Sequence, residues 1–236
     1  MPDTRIINAN ITRMRERIFA AAERAGTDAG KIKVVAVSKL KPAADVYAAY
    51  EAGLTIFGEN YAQELFVKQG DALLAGLPAI EWHMIGHLQT NKVKPLIGKV
   101  ALIQSLDSLR LANEIQKHAE KAGYVADVLI EINIAKEQNK YGFFIEEAQK
   151  AIETISTYGN VRILGLMASA PLTEVPERNR PYFKQLRELF LDIGNKRIDN
   201  TFMRILSMGM SGDFETAIEE GSTMLRIGTS IFGKRG

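Results

Sequence analysis

Residues 34–42 have the sequence VVAVSKLKP, in which a short apolar run ends in a lysine and a proline follows. Three valines in four positions are typical of a buried strand. Because side chains alternate along a strand, Val35, Val37 and Lys39 are predicted to share one face. Partial burial and the nearby charge of Lys41 both favour the neutral amine, which is the form that attacks a carbonyl. Lys39 is therefore a candidate Schiff-base lysine, and a solvated lysine at a strand end is the alternative.

Strand-like runs and helical patterns alternate along the rest of the chain. The runs lie near 33–39, 55–60, 82–87, 100–106, 125–133, 161–168, 202–208 and 224–232, and the helical patterns cover 43–52, 61–75, 108–121, 145–157, 178–193 and 213–220, with only a short helical turn within 89–98. Eight strands joined by helices pair in parallel, and eight such units close a TIM barrel. An open doubly wound sheet is the competing architecture, but the first turn lacks its G-x-G-x-x-G pattern. We therefore predict an α/β fold, a single TIM (β/α)8 barrel.

The N-terminal segment has apolar residues at helical spacing, which predicts an amphipathic helix ahead of the barrel. Asp3 or Thr4 is placed to cap this helix, and Gly26 is placed to end it. No Pro/Gly/Ser-rich linker divides the chain. We therefore expect one domain over 1–236, in which the helix occupies 1–26 and the barrel 33–233.

Composition excludes several classes of function. The 30 basic and 28 acidic residues give a net charge of +2, which does not indicate a nucleic-acid partner. Cysteine is absent, and the three histidines lack metal-ligand spacing, so neither a disulfide framework nor a metal site is predicted. No apolar stretch approaches the ~18 residues of a membrane span, and no apolar leader opens the chain. We therefore expect a cytoplasmic protein without a membrane partner.

The seventh predicted strand ends in the motif LSMGMSGD, residues 206–213, and a helix follows. Its small residues allow close backbone approach, and Ser211 or Asp213 is placed to cap the helix. The first N–H groups of that helix form an anion site, to which Ser207 adds a hydroxyl donor. An ordinary Ser/Gly turn is the alternative interpretation.

The eighth predicted strand carries the motif MLRIGTSIFG, residues 224–233. Arg226 lies two residues before Gly228 and hence on the same face of the strand. An arginine inside a barrel needs acceptors because it keeps its charge, whereas a salt-bridged arginine on the outer face is the alternative. Gly228 and Thr229 offer backbone N–H groups and a hydroxyl that suit a phosphate.

Strands one and eight are neighbours in a closed barrel, and active sites lie at the C-terminal ends of the strands. The three motifs therefore bring an amine for a carbonyl, donors for a phosphate and an arginine to one place. A phosphosugar and pyridoxal phosphate both match this description. The ring nitrogen of pyridoxal phosphate, which an arginine can face, favours the second ligand.

Six segments taken together resemble the YggS/PROSC family of pyridoxal-phosphate homeostasis proteins. They are VAVSK (35–39) with the proline at 42, FGENY (57–61), WHMIGHLQTNK (82–92), GLM (165–167), LSMGMS (206–211) and RIGT (226–229). They occur in order along essentially the whole chain. The resemblance implies a barrel similar to the N-terminal domain of alanine racemase.

The resemblance also implies roles for the motif residues. It makes Lys39 the lysine that holds pyridoxal phosphate as a Schiff base, and it directs Arg226 to the ring nitrogen. It implies that Ser207, Ser211, Gly228 and Thr229 bind the phosphate, with the Met210 backbone nearby. It also implies that Asn60 lies near the ring and that His87 and Met167 belong only to the surroundings of the site. Residues 168–171, ASAP, depart from the family pattern, which has a bulkier residue before the proline.

Arg226 can only donate hydrogen bonds, so it favours an unprotonated ring nitrogen and a weaker electron sink. A racemase also needs a second acid or base opposite the lysine, which in alanine racemases comes from a partner's added β-domain. Only residues 234–236 follow the last predicted strand here, so we expect a monomer without that domain.

We therefore expect a protein that stores, buffers or delivers pyridoxal phosphate without substantial turnover. Apo forms of enzymes that use pyridoxal phosphate and free amino acids are its expected partners. Two alternatives stay open: a weak amino-acid racemase or lyase, with Tyr61, His87 or Tyr141 as the second acid or base, and a Schiff-base phosphosugar aldolase. Lys136 and Lys140, in the loop after the fifth strand, are further candidates for a second pyridoxal phosphate molecule, with ordinary solvated lysines as the alternative.

Overall fold

The computed structural model describes residues 4–78 and 80–233, and in this part of the chain eight parallel strands close into a barrel. The strands are β1 (Lys33–Val37), β2 (Ile56–Glu59), β3 (Glu81–Met84), β4 (Leu102–Leu106), β5 (Ala126–Ile132), β6 (Val161–Ala168), β7 (Thr201–Met210) and β8 (Met224–Ile227). Each strand pairs with the next in sequence, and β8 returns to β1. The predicted TIM barrel is confirmed.

Helices surround the barrel in the order expected from the sequence. They are α1 (Thr4–Arg24), α2 (Ala43–Glu51), α3 (Ala62–Gln69), α4 (Val93–Leu96), α5 (Leu109–Lys121), α6 (Ile145–Ser156), α7 (Arg180–Lys196), α8 (Phe214–Glu219) and α9 (Thr229–Phe232). Short 3-10 turns lie at Ala29–Lys31, Thr90–Lys92 and Pro176–Asn179. The short turn expected within 89–98 is thus a 3-10 turn that runs into α4.

Helix α1 covers the part of the barrel where α8 and α9 are short. It buries one apolar stripe and packs against α2, α8 and α9. Arg17 pairs with Glu215 at 2.9 Å, and the Asn10 side chain donates to the Ile231 carbonyl at 2.9 Å. The predicted stop is confirmed, because α1 ends just before Gly26, whose φ is +64°. Thr4 belongs to the helix rather than capping it, and Asp3 lies outside the described residues.

The barrel interior is filled by apolar side chains from several strands. These are Val35, Ile56, Leu102, Leu129, Met167 and Met224. A Cβ on Gly58 would lie 2.8 Å from both Val35 Cγ1 and Ile85 Cδ1, so only glycine fits beside this layer. The interior is therefore a packed core, and the space available for a ligand lies at the strand ends.

The predicted eighth strand is too long. Strand β8 ends at Ile227, and Thr229–Phe232 form the short helix α9 instead of continuing the strand. The last pairing of β8 with β1 is Ile227 with Ala36, after which β1 itself soon ends. The N–H groups of Ile231 and Phe232 donate to the Gly228 carbonyl at 3.0 and 2.9 Å. The chain therefore turns into a helix where the neighbouring strand no longer offers ladder partners.

Candidate functional site

A cavity of about 420 Å3 lies at the C-terminal ends of β1, β7 and β8. Its walls include seven of the eight site residues predicted from the sequence: Lys39, Asn60, Met210, Ser211, Arg226, Gly228 and Thr229. Val37 and Lys39 both face this cavity, as strand alternation predicts, so the lysine belongs to the inner side of the barrel. The structure does not bring Ser207 to the cavity wall.

The turn that carries Lys39 is fixed by its backbone. Ser38 is fully buried and donates its N–H to the Gly58 carbonyl at 3.1 Å. Leu40 adopts a φ of +60°, a conformation that L-residues rarely take. Its N–H donates to a carboxylate oxygen of Glu64. The backbone on both sides of Lys39 is thus held before any ligand arrives.

A buried ionic cluster, Lys68 with Glu59 and Glu64, supports this turn from behind. The Lys68 ammonium donates to Glu59 at 2.6 Å, to Glu64 at 2.7 Å and to the Ser38 carbonyl at 2.7 Å. The Ser38 hydroxyl donates to the same Glu59 oxygen at 2.6 Å. Burial raises the pKa of Glu59, although the hydrogen bonds from Lys68 and Ser38 oppose this. Sequence reasoning missed this cluster, although a glutamate within an apolar strand was a signal for it.

Arg226 points into the barrel and is only 5% exposed, so the outer-face alternative is wrong. Nη1 donates to the carbonyl and hydroxyl of Ser207 at 2.9 and 2.7 Å. Nη2 donates to the Ala168 carbonyl at 2.8 Å and to the Ser169 hydroxyl at 3.2 Å. Burial lowers the pKa of Arg226 to about 10, so the guanidinium still carries its charge at neutral pH. Four neutral oxygens therefore fix the orientation of a cation at the cavity wall.

Ser207 belongs to the support of Arg226 and not to the cavity surface. Its hydroxyl accepts from Arg226 and donates to Gln104 Oε1 at 2.7 Å, and Gln104 contacts His83 Nδ1 at 2.9 Å. The pairing of β7 with β8 shifts register between Ser207 and Met210. Ser207 pairs with Met167 and Met224 of the barrel interior and lies outside the lining of the first cavity, and its predicted contact with a phosphate stays a prediction. Gln104 and His83, on distant strands, were missed for lack of any local signal.

The loop between β7 and α8 meets the start of α9 at the other end of the cavity. The Ser211 hydroxyl accepts from the N–H groups of Gly228 and Ser230 at 3.2 and 3.1 Å. Asp213 precedes α8 but makes no side-chain cap to it; its carboxylate accepts from the Met210 N–H at 2.7 Å and from Asn179. The Ser211 hydroxyl and the backbone amides of Gly228 and Ser230 therefore lie together where the sequence predicts an anion site.

The whole chain is similar to proteins of known name. Residues 7–236 match the family model described as "Alanine racemase, N-terminal domain". A protein from Aquifex aeolicus named pyridoxal phosphate homeostasis protein is 48% identical, covering 95% of this chain and 96% of that protein. The protein of the same name from Escherichia coli K12 is 36% identical, covering 96% and 95%. The chain belongs to the YggS/PROSC family.

Solved structures agree with this membership. PipY of Synechococcus elongatus PCC7942 with PLP bound is 31% identical with a TM-score of 0.83, covering 96% of this chain and all of that one. An alanine racemase from Clostridium difficile 630 shares 14% identity with a TM-score of 0.66, covering 93% of this chain and 56% of that one, which shows a common fold alone.

This YggS/PROSC member has a second cavity, of about 660 Å3, beside the first. Asn60, Ile85 and Ser169 line both cavities, so the two are neighbours. A Cβ on Gly86 would lie 2.6 Å from the Asn60 carbonyl oxygen, so glycine is needed where this loop packs against Asn60.

The aromatic residues proposed as acids or bases lie at this second cavity, which Tyr61, His87 and Tyr141 all line. His87 stacks on Tyr141 with ring centroids 3.6 Å apart, and its Nδ1 lies 2.5 Å from Asp107 Oδ2. The carboxylate therefore orients the imidazole.

The loop lysines after β5 differ in position. Lys136 pairs with Glu146 at 2.6 Å and lines neither of the two cavities. Lys140 pairs with Glu137 at 2.5 Å and lines the second cavity. The candidate role of both lysines in holding a second pyridoxal phosphate stays a prediction.

The described residues, 4–78 and 80–233, offer neither a candidate metal site nor a candidate membrane-spanning helix. Within them, no group of three or more His, Asp or Glu side chains is arranged to hold a metal ion. None of the helices in that part of the chain combines the length and apolar character needed to cross a bilayer.

Proposed function

We propose that this chain binds pyridoxal phosphate in the first cavity as a Schiff base on Lys39, and that it stores, buffers or delivers it. The observation that carries the proposal is the convergence of Lys39, the buried guanidinium of Arg226 and the donors around Ser211 on one cavity. These three groups match the aldehyde, the ring nitrogen and the phosphate of that cofactor. The names of the relatives and the bound PLP of PipY support the same ligand.

Each of the lining residues would contact a different part of the cofactor. Lys39 would supply the amine, and Arg226 would lie beside the ring nitrogen, to which it can only donate. Ser211, Gly228, Thr229 and the Met210 backbone would hold the phosphate, and Asn60 would line the cavity beside the ring. The bound group supplies an aldehyde that combines reversibly with amines and a ring that withdraws electrons.

The chain's own groups favour carriage over turnover. Arg226 keeps its proton at neutral pH and donates to neutral oxygens. A protonated ring nitrogen would need a hydrogen-bond acceptor, and a guanidinium group cannot provide one. A ring nitrogen without a proton withdraws electrons weakly, and carbanion chemistry is then slow. Reversible bonding to Lys39 still allows an incoming amine to take the aldehyde, which suits delivery to apo-enzymes and exchange with free amino acids. Cytoplasmic location and a monomeric state stay predictions.

A weak racemase or lyase is the second candidate function. The observation that favours it is His87, which Asp107 orients at the neighbouring cavity. A phosphosugar aldolase would use the same lysine and anion site.

The deciding experiment is the absorption spectrum of the purified protein, followed by borohydride reduction and peptide mass analysis. We expect a yellow chromophore and a pyridoxyl adduct on Lys39, which Lys39→Ala abolishes. A protein that stays colourless after addition of pyridoxal phosphate would refute the proposal, and a borohydride-trapped sugar would indicate the aldolase. Rapid exchange of the Cα proton of amino acids with solvent deuterium would indicate the racemase or lyase.

A further inference from the structure

The second cavity contains a carboxylate that the proposed function does not use. Glu131 lies on β5 and lines this cavity. Its Oε2 is enclosed and has no hydrogen-bond partner among the described residues. A buried carboxylate without a donor is costly, so such a group is kept where it meets a ligand or serves chemistry.

Among the described residues, the charged side chains around Glu131 form no ion pair with it. Burial, with help from the nearby negative charge of Asp107, raises the pKa of Glu131 to about 7, and Arg226 opposes this. Asp107 is itself engaged by His87, and Arg226 donates to four neutral oxygens. No ion pair within residues 4–78 and 80–233 includes Glu131. A cation that entered this cavity would meet a carboxyl group with no partner on Oε2 and would favour its ionised form.

Basic side chains line the same cavity. They are Lys92, Lys140 and His87; Lys92 and Lys140 are only partly buried, and Lys140 also pairs with Glu137 at 2.5 Å. Asn133, a buried neighbour of Glu131, also lines it, although both hydrogens of its side-chain amide are already donated to loop carbonyls. A cavity lined by an enclosed carboxyl oxygen without a partner and by lysine side chains is complementary to a small zwitterion.

We propose that the second cavity binds a free α-amino acid, with its ammonium group on Glu131 and its carboxylate toward Lys92 and Lys140. The inference rests on the proposed function, because it supplies the amine that would exchange with Lys39 next door. Three residues line both cavities, Asn60, Ile85 and Ser169, so a molecule bound here lies beside the first cavity. Glu131 would also accept one proton from the ammonium group, which leaves a neutral amine able to attack a carbonyl.

The first arm of the test measures binding without pyridoxal phosphate. The full-length chain freed of the cofactor is titrated with L-alanine, and the Kd is read by ligand-observed NMR. We expect Glu131→Gln to weaken binding at least tenfold. Glu146→Gln, an equal charge change on the exposed surface of α6, should leave the Kd unchanged. Glutamine has the same shape and removes an unpaired buried charge, so we expect the variant to fold with an equal or higher Tm.

The second arm uses the loaded protein and two amines. L-Alanine, which is an ammonium ion at neutral pH, should change the absorption spectrum at least tenfold more slowly in Glu131→Gln than in the parent chain. Hydroxylamine is mostly neutral at the same pH and needs no deprotonation before it attacks, so its rate should be equal in both proteins. A variant that slows both amines alike would show a distorted cavity and overturn the inference.

The outcomes separate this inference from the proposed function. If Lys39 carries the pyridoxyl adduct but Glu131→Gln binds L-alanine as the parent does, the amino-acid site is refuted and the cofactor site stands. Absence of any L-alanine binding to the parent chain would refute it equally. If no adduct forms on Lys39, the proposed function fails, whatever the first arm shows.

Discussion

Replacing Lys68 by methionine tests whether the buried ionic cluster holds the Lys39 turn. Methionine keeps most of the apolar stem but removes three hydrogen bonds, to Glu59, Glu64 and the Ser38 carbonyl. The Lys68 side chain is 5% exposed and that of Glu59 0%, so water cannot replace the lost partner. Breaking a buried pair by removing one member costs about 3–5 kcal/mol. We expect a loss of that size in the free energy of unfolding.

Urea denaturation measured across pH gives the clearest assay of this variant. Burial already raises the pKa of Glu59 above 4.5, and removal of Lys68 raises it further. At pH values between the unfolded and the folded pKa of Glu59, the folded variant therefore holds a proton that the unfolded chain has lost. Its stability is highest below the unfolded pKa and falls as the pH rises through the folded pKa of Glu59. The penalty of Lys68→Met should accordingly be smaller in acid than at neutral pH.

The matched control is the double variant Lys68→Met with Glu59→Gln, which removes both charges. We expect it to recover part of the lost stability, because no uncompensated carboxylate remains. Pyridoxal phosphate uptake should still be weaker in both variants, because the carbonyl of Ser38 and the N–H of Leu40 lose their supported geometry. A single-variant penalty under about 1 kcal/mol, or one that does not depend on pH, would contradict this account.

Three further predictions concern the first cavity and the barrel wall. Ser211→Ala removes a hydroxyl of the anion site, which also accepts from two backbone N–H groups. We expect equilibrium dialysis to show pyridoxal phosphate binding weakened about tenfold, or ~1.4 kcal/mol. Unchanged affinity would show that Ser211 is not part of the site. Arg226→Lys cannot supply both guanidinium nitrogens, so we expect at least tenfold weaker binding and a changed chromophore spectrum, whereas an unaltered spectrum would show that the guanidinium does not reach the ring. Gly165→Ala would place a Cβ 1.8 Å from the Ile205 carbonyl oxygen, so we expect thermal denaturation to show a loss of stability of more than about 3 kcal/mol. In the control variant Gly159→Ala the new Cβ meets no atom within 4 Å, and we expect the stability to change by under about 1 kcal/mol.

Local pattern was enough to predict the residues whose direction follows from strand alternation. Arg226 interrupts the apolar strand β8, and Lys39 follows Val37 of β1 by two residues, so alternation turns both inward, and both line the first cavity. Ser207 also faces inward, but its hydroxyl is engaged by Arg226 and Gln104, which lie on two other strands. No spacing in the sequence reports those contacts.

The residues that sequence reasoning missed have partners on other strands. Glu131 and Asp107 come together only because β4 and β5 are adjacent in the closed barrel, and Gln104 reaches Ser207 across its interior. The predicted end of β8 was wrong for a related reason, since Ile231 and Phe232 suit a strand or a helix equally well. Only the end of β1 at Val37 decides between them.

The packing of α1 has a consequence for how this protein is made. Arg17 and Glu215 are 198 positions apart, and Asn10 and Ile231 are 221 apart. At a synthesis rate of roughly 5–20 residues per second, the ribosome needs about 10–40 s to complete those contacts after α1 emerges. During that interval the apolar stripe of α1 lacks its partners on α8 and α9. Helix α1 therefore leaves the ribosome well before α8 and α9, and it cannot complete its docking until both have been synthesised.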